Sequence, residues 1–181
     1  MAYLLERTRV KGRKIPDFLI TVGSGTPSIA IALALIMTMS GKFGINIYNT
    51  LTIMVVAYMI KYMLMGMRTV VSAMSQVHPS LEEAAQISGA NWLRMLKDVT
   101  LPLIGASIVA GIFLIFMPSF YELTMSTLLY SSNTKTIGYE LYIYQTYHSQ
   151  QVASALATAI LLFVILVNYI LSKLTKGQFS I

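Results

Sequence analysis

Four stretches of the chain are almost continuously apolar, and the charged residues are gathered between them. They run Leu19–Ser40, Leu51–Val71, Leu101–Phe120 and Val152–Ser172. Each is about the twenty residues that a helix needs to cross a ~30 Å hydrocarbon core. The pattern predicts an all-α, polytopic membrane helix bundle of about four transmembrane helices, one domain over residues 1–181. The first run carries Gly23, Gly25 and Pro27 in its weaker half, which predicts a kinked or locally broken helix there. The second is interrupted by Lys61; the third begins with Pro102 and nears its end at Pro118, places where proline costs little. The fourth carries no charge and is the plainest span.

Small residues recur four apart, Ala106 with Ala110 and Ser107 with Gly111 in the third run, Ala153 with Ala157 and Ser154 with Thr158 in the fourth. Such spacing lets helix backbones approach, so these faces are expected to pack on other helices. The segment 121–150 is rich in Leu, Ile and Tyr. It is expected to fold back on the outer face with its tyrosines at the interface belt.

Composition narrows the class. The chain is 56% hydrophobic and 11% charged, where a soluble domain is about a quarter charged. Its net charge of +6 is unevenly placed. With alternating spans, ten of the thirteen basic residues fall on one side: Arg7, Arg9, Lys11, Arg13, Lys14, Arg68, Arg94, Lys97, Lys173 and Lys176. The positive-inside rule makes that side the cytoplasm, so the expectation is a multi-pass protein of the bacterial cytoplasmic membrane with both termini and the middle loop inside. Basic residues interleaved with aromatics along one stripe are absent, which argues against nucleic acid as a partner. Without cysteine there is neither a disulfide framework nor a thiolate nucleophile. A basic start, an apolar core from Ile29 and small Ser40 and Gly41 are also features of a signal peptide, but three spans follow and no A-x-A site closes the run.

The loop 72–100 holds Glu82, Glu83, Arg94, Lys97 and Asp98. Ser80 followed by Glu83 predicts a capping box and a helix start. Leu81, Ala84, Ala85 and Ser88 then share one face, and Gly89 supplies the left-handed residue that ends the helix after about two turns. Asn91 is placed to cap a second short helix whose stripe is Trp92, Met95, Leu96 and Val99. Helices this short are marginal alone and need packing against something else.

Glu83-Ala84-Ala85, three residues, Gly89, nine residues and Val99-Thr100-Leu101-Pro102 resemble the cytoplasmic EAA loop of ABC-transporter permeases, with Val99 where Ile is usual. Ala2-Tyr3-Leu4, Arg7-Thr8-Arg9 and Gly12-Arg13 resemble the "AYL…RTR…GR" segment of the ferric-iron, polyamine and phosphonate permeases; Thr26-Pro27-Ser28 matches their Pro-Gly only in part. The resemblance implies a non-enzymatic transport subunit of the inner membrane. It implies an ATP-binding subunit as partner, a second permease half or an upstream permease segment, an external solute-binding protein and the lipid bilayer. It places Glu83, Ala84, Ala85 and Gly89 at the ATPase interface, with Glu82 and Trp92 flanking. Such units usually have six spans, so a C-terminal portion or a split reading frame is expected, which alone would not transport. Ferric iron is the solute preferred by resemblance, with polyamine or phosphonate as alternatives. A membrane adaptor or channel acting without an ATPase, or a non-transporting remnant, is the reading from another class.

No catalytic group is expected, no cofactor and no metal site. His78 and His148 fall on opposite sides of the membrane, and a phosphate-binding G-x-x-x-x-G-K-[ST] loop is absent. Gly23-Ser24-Gly25 inside a membrane run reads as packing or a kink. Lys61 lies deep in a span, seven residues before Arg68 and on the same face, placed either for a pathway or gating role or for structural pairing or snorkelling. Glu122, at the outer end of the third span, is placed either to pair with a basic group or to face the pathway vestibule.

Overall fold

Residues 1–174 are described by the computed structural model; Lys176, counted above among the inner charges, lies outside them. After the short α1 (Ala2–Arg7), the first apolar run forms two helices, α2 (Lys14–Gly25) and α3 (Ser28–Met39), bent by 110°. The expected kink is thus a full break. Its cause is Pro27, whose ring forces the preceding Thr26 to extended backbone (φ −70°, ψ 138°) and leaves no amide to carry the helix on.

The second run forms α4 (Leu51–Gln76), which outlasts the expected Val71 by more than a turn. The middle segment makes α5 (Pro79–Ile87) and α6 (Trp92–Met95). Beyond Met95 the chain does not stop, as a separate second short helix would require. It continues through a π-helical turn, Leu96–Thr100, straight into α7 (Leu101–Phe120). Thus Trp92–Phe120 is one helical rod. The outer segment folds into α8 (Thr124–Leu129) and α9 (Ile137–Tyr147), and α10 (Gln150–Leu174) closes the described chain. Among the described residues three helices are long and apolar enough to cross a membrane, or four if the bent pair counts as one. Among the described residues the only β feature is an isolated bridge between Ser40 and Asn46.

Helix α4 is the centre of the bundle. It packs along α7, where Gly66 and Gly111 meet backbone to backbone. A Cβ on Gly66 would lie 2.7 Å from the Gly111 carbonyl, and one on Gly111 would lie 2.9 Å from the Gly66 carbonyl. This is the close approach expected of the Ser107/Gly111 and Ala106/Ala110 spacing, and Ala110 is buried beside it. On another flank α2 runs antiparallel to α4, with Asp17 paired to Arg68 at one end and Gly23 against the Ile60 backbone at the other. The main core gathers where α3, the first half of α4 and α8 converge: Ile31, Ala32, Leu35, Ile53, Met54, Ala57, Met125 and Leu129.

The fourth span departs from expectation. Ala153 is buried, but Ser154, Ala157 and Thr158 are exposed, and the two hydroxyls bond back to carbonyls of their own helix. Helix α10 touches the bundle chiefly through α9 and through Phe163 against Phe120, at a ring separation of 4.9 Å.

Candidate functional site

The segment between the second and third spans forms a small knob. Its first helix is not started by the expected capping box. Pro79 occupies the first turn, and His78 is the cap: its Nδ1 accepts from the Ser80 amide at 3.3 Å and lies 2.8 Å from the Ser80 hydroxyl. The reason is register. Proline's preset φ favours the first helical position, which moves the cap to the residue before it and makes Ser80 helical. Glu83 is left exposed in place of folding back.

The helix ends as its sequence predicts. Gly89 has φ +87°, the Gly89 amide donates to the Gln86 carbonyl at 2.9 Å, and the Ala90 amide donates to the Ala85 carbonyl at 3.0 Å. That pair of bonds is the Schellman motif. Asn91 then caps α6, its Oδ1 accepting from the Arg94 amide at 2.8 Å. The turn between the helices is therefore shaped by the Asn91 side chain and one left-handed glycine.

The knob has an inner and an outer side. Inward, Met95 and Thr100 are fully buried and Glu82 is 5% exposed. Glu82 carries an ion pair of 3.2 Å to Arg7 and accepts a hydrogen bond of 3.2 Å from Thr100. The residue before the Glu-Ala-Ala triplet thus turns toward the body of the protein, whereas Glu83 and Ala84 turn away. Outward, Glu83, Ala84 and Gly89 are exposed and Ala85 is half-buried. Leu81, Leu93 and above all Ile87, at 89% exposure, add apolar surface there. Trp92 is half-exposed and stands edge-on to Tyr3, with ring centroids 5.8 Å apart. Arg94 and Asp98 form an exposed pair of 3.7 Å, of the kind worth little in water.

Lys61 lies at the break in the first span. Its ammonium donates to the Ser24 carbonyl at 3.0 Å and the Thr26 carbonyl at 2.7 Å, two groups that the interruption leaves without helical partners. Arg68, seven residues on, faces the same helix and pairs with Asp17 at 3.0 Å. Lys61 thus caps two backbone carbonyls at the break. Among the described residues Glu122 pairs with no basic group: Tyr62 donates its hydroxyl to Oε2, and Oε1 accepts from the Met125 amide at 3.1 Å at the start of α8. The next polar link in this cluster joins Tyr58 and Ser126 at 2.6 Å. Arg7, Thr100 and Tyr3 entered the sequence reading as motif positions, and Tyr62 not at all; their partners lie far along the chain and follow no periodicity. The one local signal, a threonine and a Glu at the apolar edge of amphipathic helices, identifies no partner.

Known proteins resemble the chain in both sequence and shape. It is 26% identical over 81% of its length to a Haemophilus influenzae protein named Fe(3+)-transport system permease protein FbpB 2, of which it covers 29%. It is 27% identical over 97% of its length to the trehalose/maltose transport system permease protein MalG of Thermococcus litoralis, of which it covers 66%. It is 30% identical over 67% of its length to the sulfate transport system permease protein CysT of Salmonella typhimurium, of which it covers 47%. The chain thus spans less than two thirds of the length of each of these relatives. Among solved structures, a bacterial ABC transporter importing alginate shares the fold over 99% of this chain and 71% of its own, with a TM-score of 0.77 at 16% identity. The inward-facing MetNI methionine ABC transporter does so over 99% and 84%, with a TM-score of 0.75 at 16% identity. The sequence pattern of the family described as "Binding-protein-dependent transport system inner membrane component" matches residues 1–177, and the chain belongs to that family.

Proposed function

We propose that the chain is the permease portion of a binding-protein-dependent ABC importer, and that its knob docks on a separate ATP-binding subunit. The carrying observation is the outward side of the knob: Leu81, Ala84, Ile87 and Leu93 are exposed on a rigidly capped turn, between two helices that run into the bundle. An apolar residue as open as Ile87 on a helix fixed at both ends suits a groove in a partner. Small Ala84 and Ala85 admit that partner's backbone, and Glu83 and Gly89 edge the contact. ATP hydrolysis is carried by the partner and the chain itself is the moving wall of the pathway. Both termini and the knob are assigned to the cytoplasmic side by the positive-inside rule.

The solute is delivered by an external binding protein in this reading, with ferric iron as the first to be assayed. The relatives' names span ferric iron, trehalose/maltose and sulfate, so the fold serves solutes of either charge and of none. The test is co-purification of the full transporter with its ATP-binding subunit. Ala84→Arg and Ile87→Glu are expected to leave the chain in the membrane and to lose the ATP-binding subunit at least ten-fold. Retention equal to the unmodified protein would refute the docking assignment and favour an adaptor acting without an ATPase.

A further inference from the structure

The knob would be a poor lever if only its chain ends held it. His78 on one side and the turn Ser88–Asn91 on the other are short non-helical links, and a push on α5 could be absorbed there. A single buried side chain closes the gap. The Arg7 guanidinium gives Nε to Glu82 at 3.2 Å, and its Nη2 donates to the Met74 carbonyl at 3.2 Å and the Val77 carbonyl at 2.5 Å. Those carbonyls are at the C-terminus of α4, where the helix dipole favours a cation, while Glu82 is in the first turn of α5, where it favours an anion. The other Glu82 oxygen accepts from Thr100, the last residue of the π turn that leads into α7. With side chains 10% and 7% exposed, the pair is shielded from salt and from competing water.

We infer that Arg7, Glu82 and Thr100 form a clasp that makes α1, the end of α4, the knob and the start of α7 one rigid lever, with Arg7 as a positioning residue for the transmission of motion from the docked ATP-binding subunit. This rests on the docking reading above and extends it: the docking face grips the partner, and the clasp delivers the displacement to the two most tightly packed spans. The Tyr3–Trp92 contact is a second tie between α1 and the knob. Arg7 points inward, onto Glu82 and the end of α4 and away from the outward face, so removing it should spare docking and spoil transmission.

The experiment uses the complete transporter in liposomes with Arg7→Met, Thr100→Val and Thr100→Ser. Three quantities are read: retention of the ATP-binding subunit, solute moved per ATP hydrolysed, and the fluorescence anisotropy of Trp92, the chain's single tryptophan, in a transporter whose other chains have had their tryptophans replaced by phenylalanine. For Arg7→Met, retention is expected to be unchanged, solute per ATP to fall about ten-fold and the anisotropy to drop. Thr100→Val should show a weaker form of the same split and Thr100→Ser, which keeps the hydroxyl, should restore it. If Arg7→Met fails to reach the membrane, Thr100→Val against Thr100→Ser is decisive on its own. Unchanged anisotropy overturns the clasp. Unchanged solute per ATP, or loss of the ATP-binding subunit, overturns its role in transmission. Should the unmodified chain itself retain no ATP-binding subunit, the docking reading falls and the transmission role with it, while the anisotropy still decides whether the clasp holds the knob.

Discussion

Helices α7 and α10 are nearly indistinguishable as sequence: both are long apolar runs with small residues spaced by four. Yet 22% of the apolar window that includes α7 is buried, against 6% for α10. The difference lies in which residue is small and what it meets. On α7 the small position is Gly111, opposite another glycine, Gly66, so two backbones come together and many weak contacts accumulate along the helices. On α10 the small residues after Ala153 are exposed among the described residues. Spacing is permissive; a matching gap on the neighbouring helix makes it a contact.

That contrast can be broken at its strongest point by Gly66→Leu. Its Cβ would stand 2.6 Å from Ile115 and 2.7 Å from a backbone carbonyl that cannot yield. The expected loss is about 3 kcal/mol, at the upper end for overpacking, measured by detergent unfolding with helix content as readout. Gly138→Val should cost somewhat less, about 2 kcal/mol. There the added carbon would meet the Glu122 carbonyl at 2.5 Å where α9 crosses the start of α8. Lys61→Met strips two carbonyls of their donor at the break and is expected to cost about 1–2 kcal/mol, with the angle between α2 and α3 changing; spin labels on the two helices would report the distance.

Gly89→Val forces a β-branched residue to φ +87° and should cost about 1–2 kcal/mol locally. Its larger consequence is functional: the chain remains in the membrane while uptake by the complete transporter falls, and unchanged uptake would count against the knob as a coupling element. Smallest of all is Ala157→Leu on the open face of α10, expected within about 0.5 kcal/mol of zero in the same unfolding assay. A loss as large as that at Gly66 would erase the contrast between the two helices.

The knob shows how far local signals reach. Gly89 as the left-handed stop and Asn91 as the cap of α6 were legible because each acts within a few residues of itself. The capping box failed for an equally local reason, since Pro79 claimed the first turn and handed the cap to His78. The inward turn of Glu82 was not legible because the inward and outward sides of a short helix depend on what lies beneath it, here an arginine 75 residues away. Lys61 and Glu122 stood out in the sequence as charges in and at the end of a span. Their partners, two carbonyls of a broken helix and a tyrosine hydroxyl, could not be named from periodicity.

The sequence alone determined the class: apolar runs of span length, charges swept into the loops, a proline break in the first span and the spaced residues of the knob. These follow from transfer free energy and backbone geometry, which act residue by residue. Only the tertiary structure decided which helices touch, that α6 and α7 are one rod, and that Arg7 ties both to the end of α4 through Glu82 and Thr100. Those outcomes depend on the fit of surfaces distant along the chain, and on burial that turns an ordinary pair of charges into a link between helices.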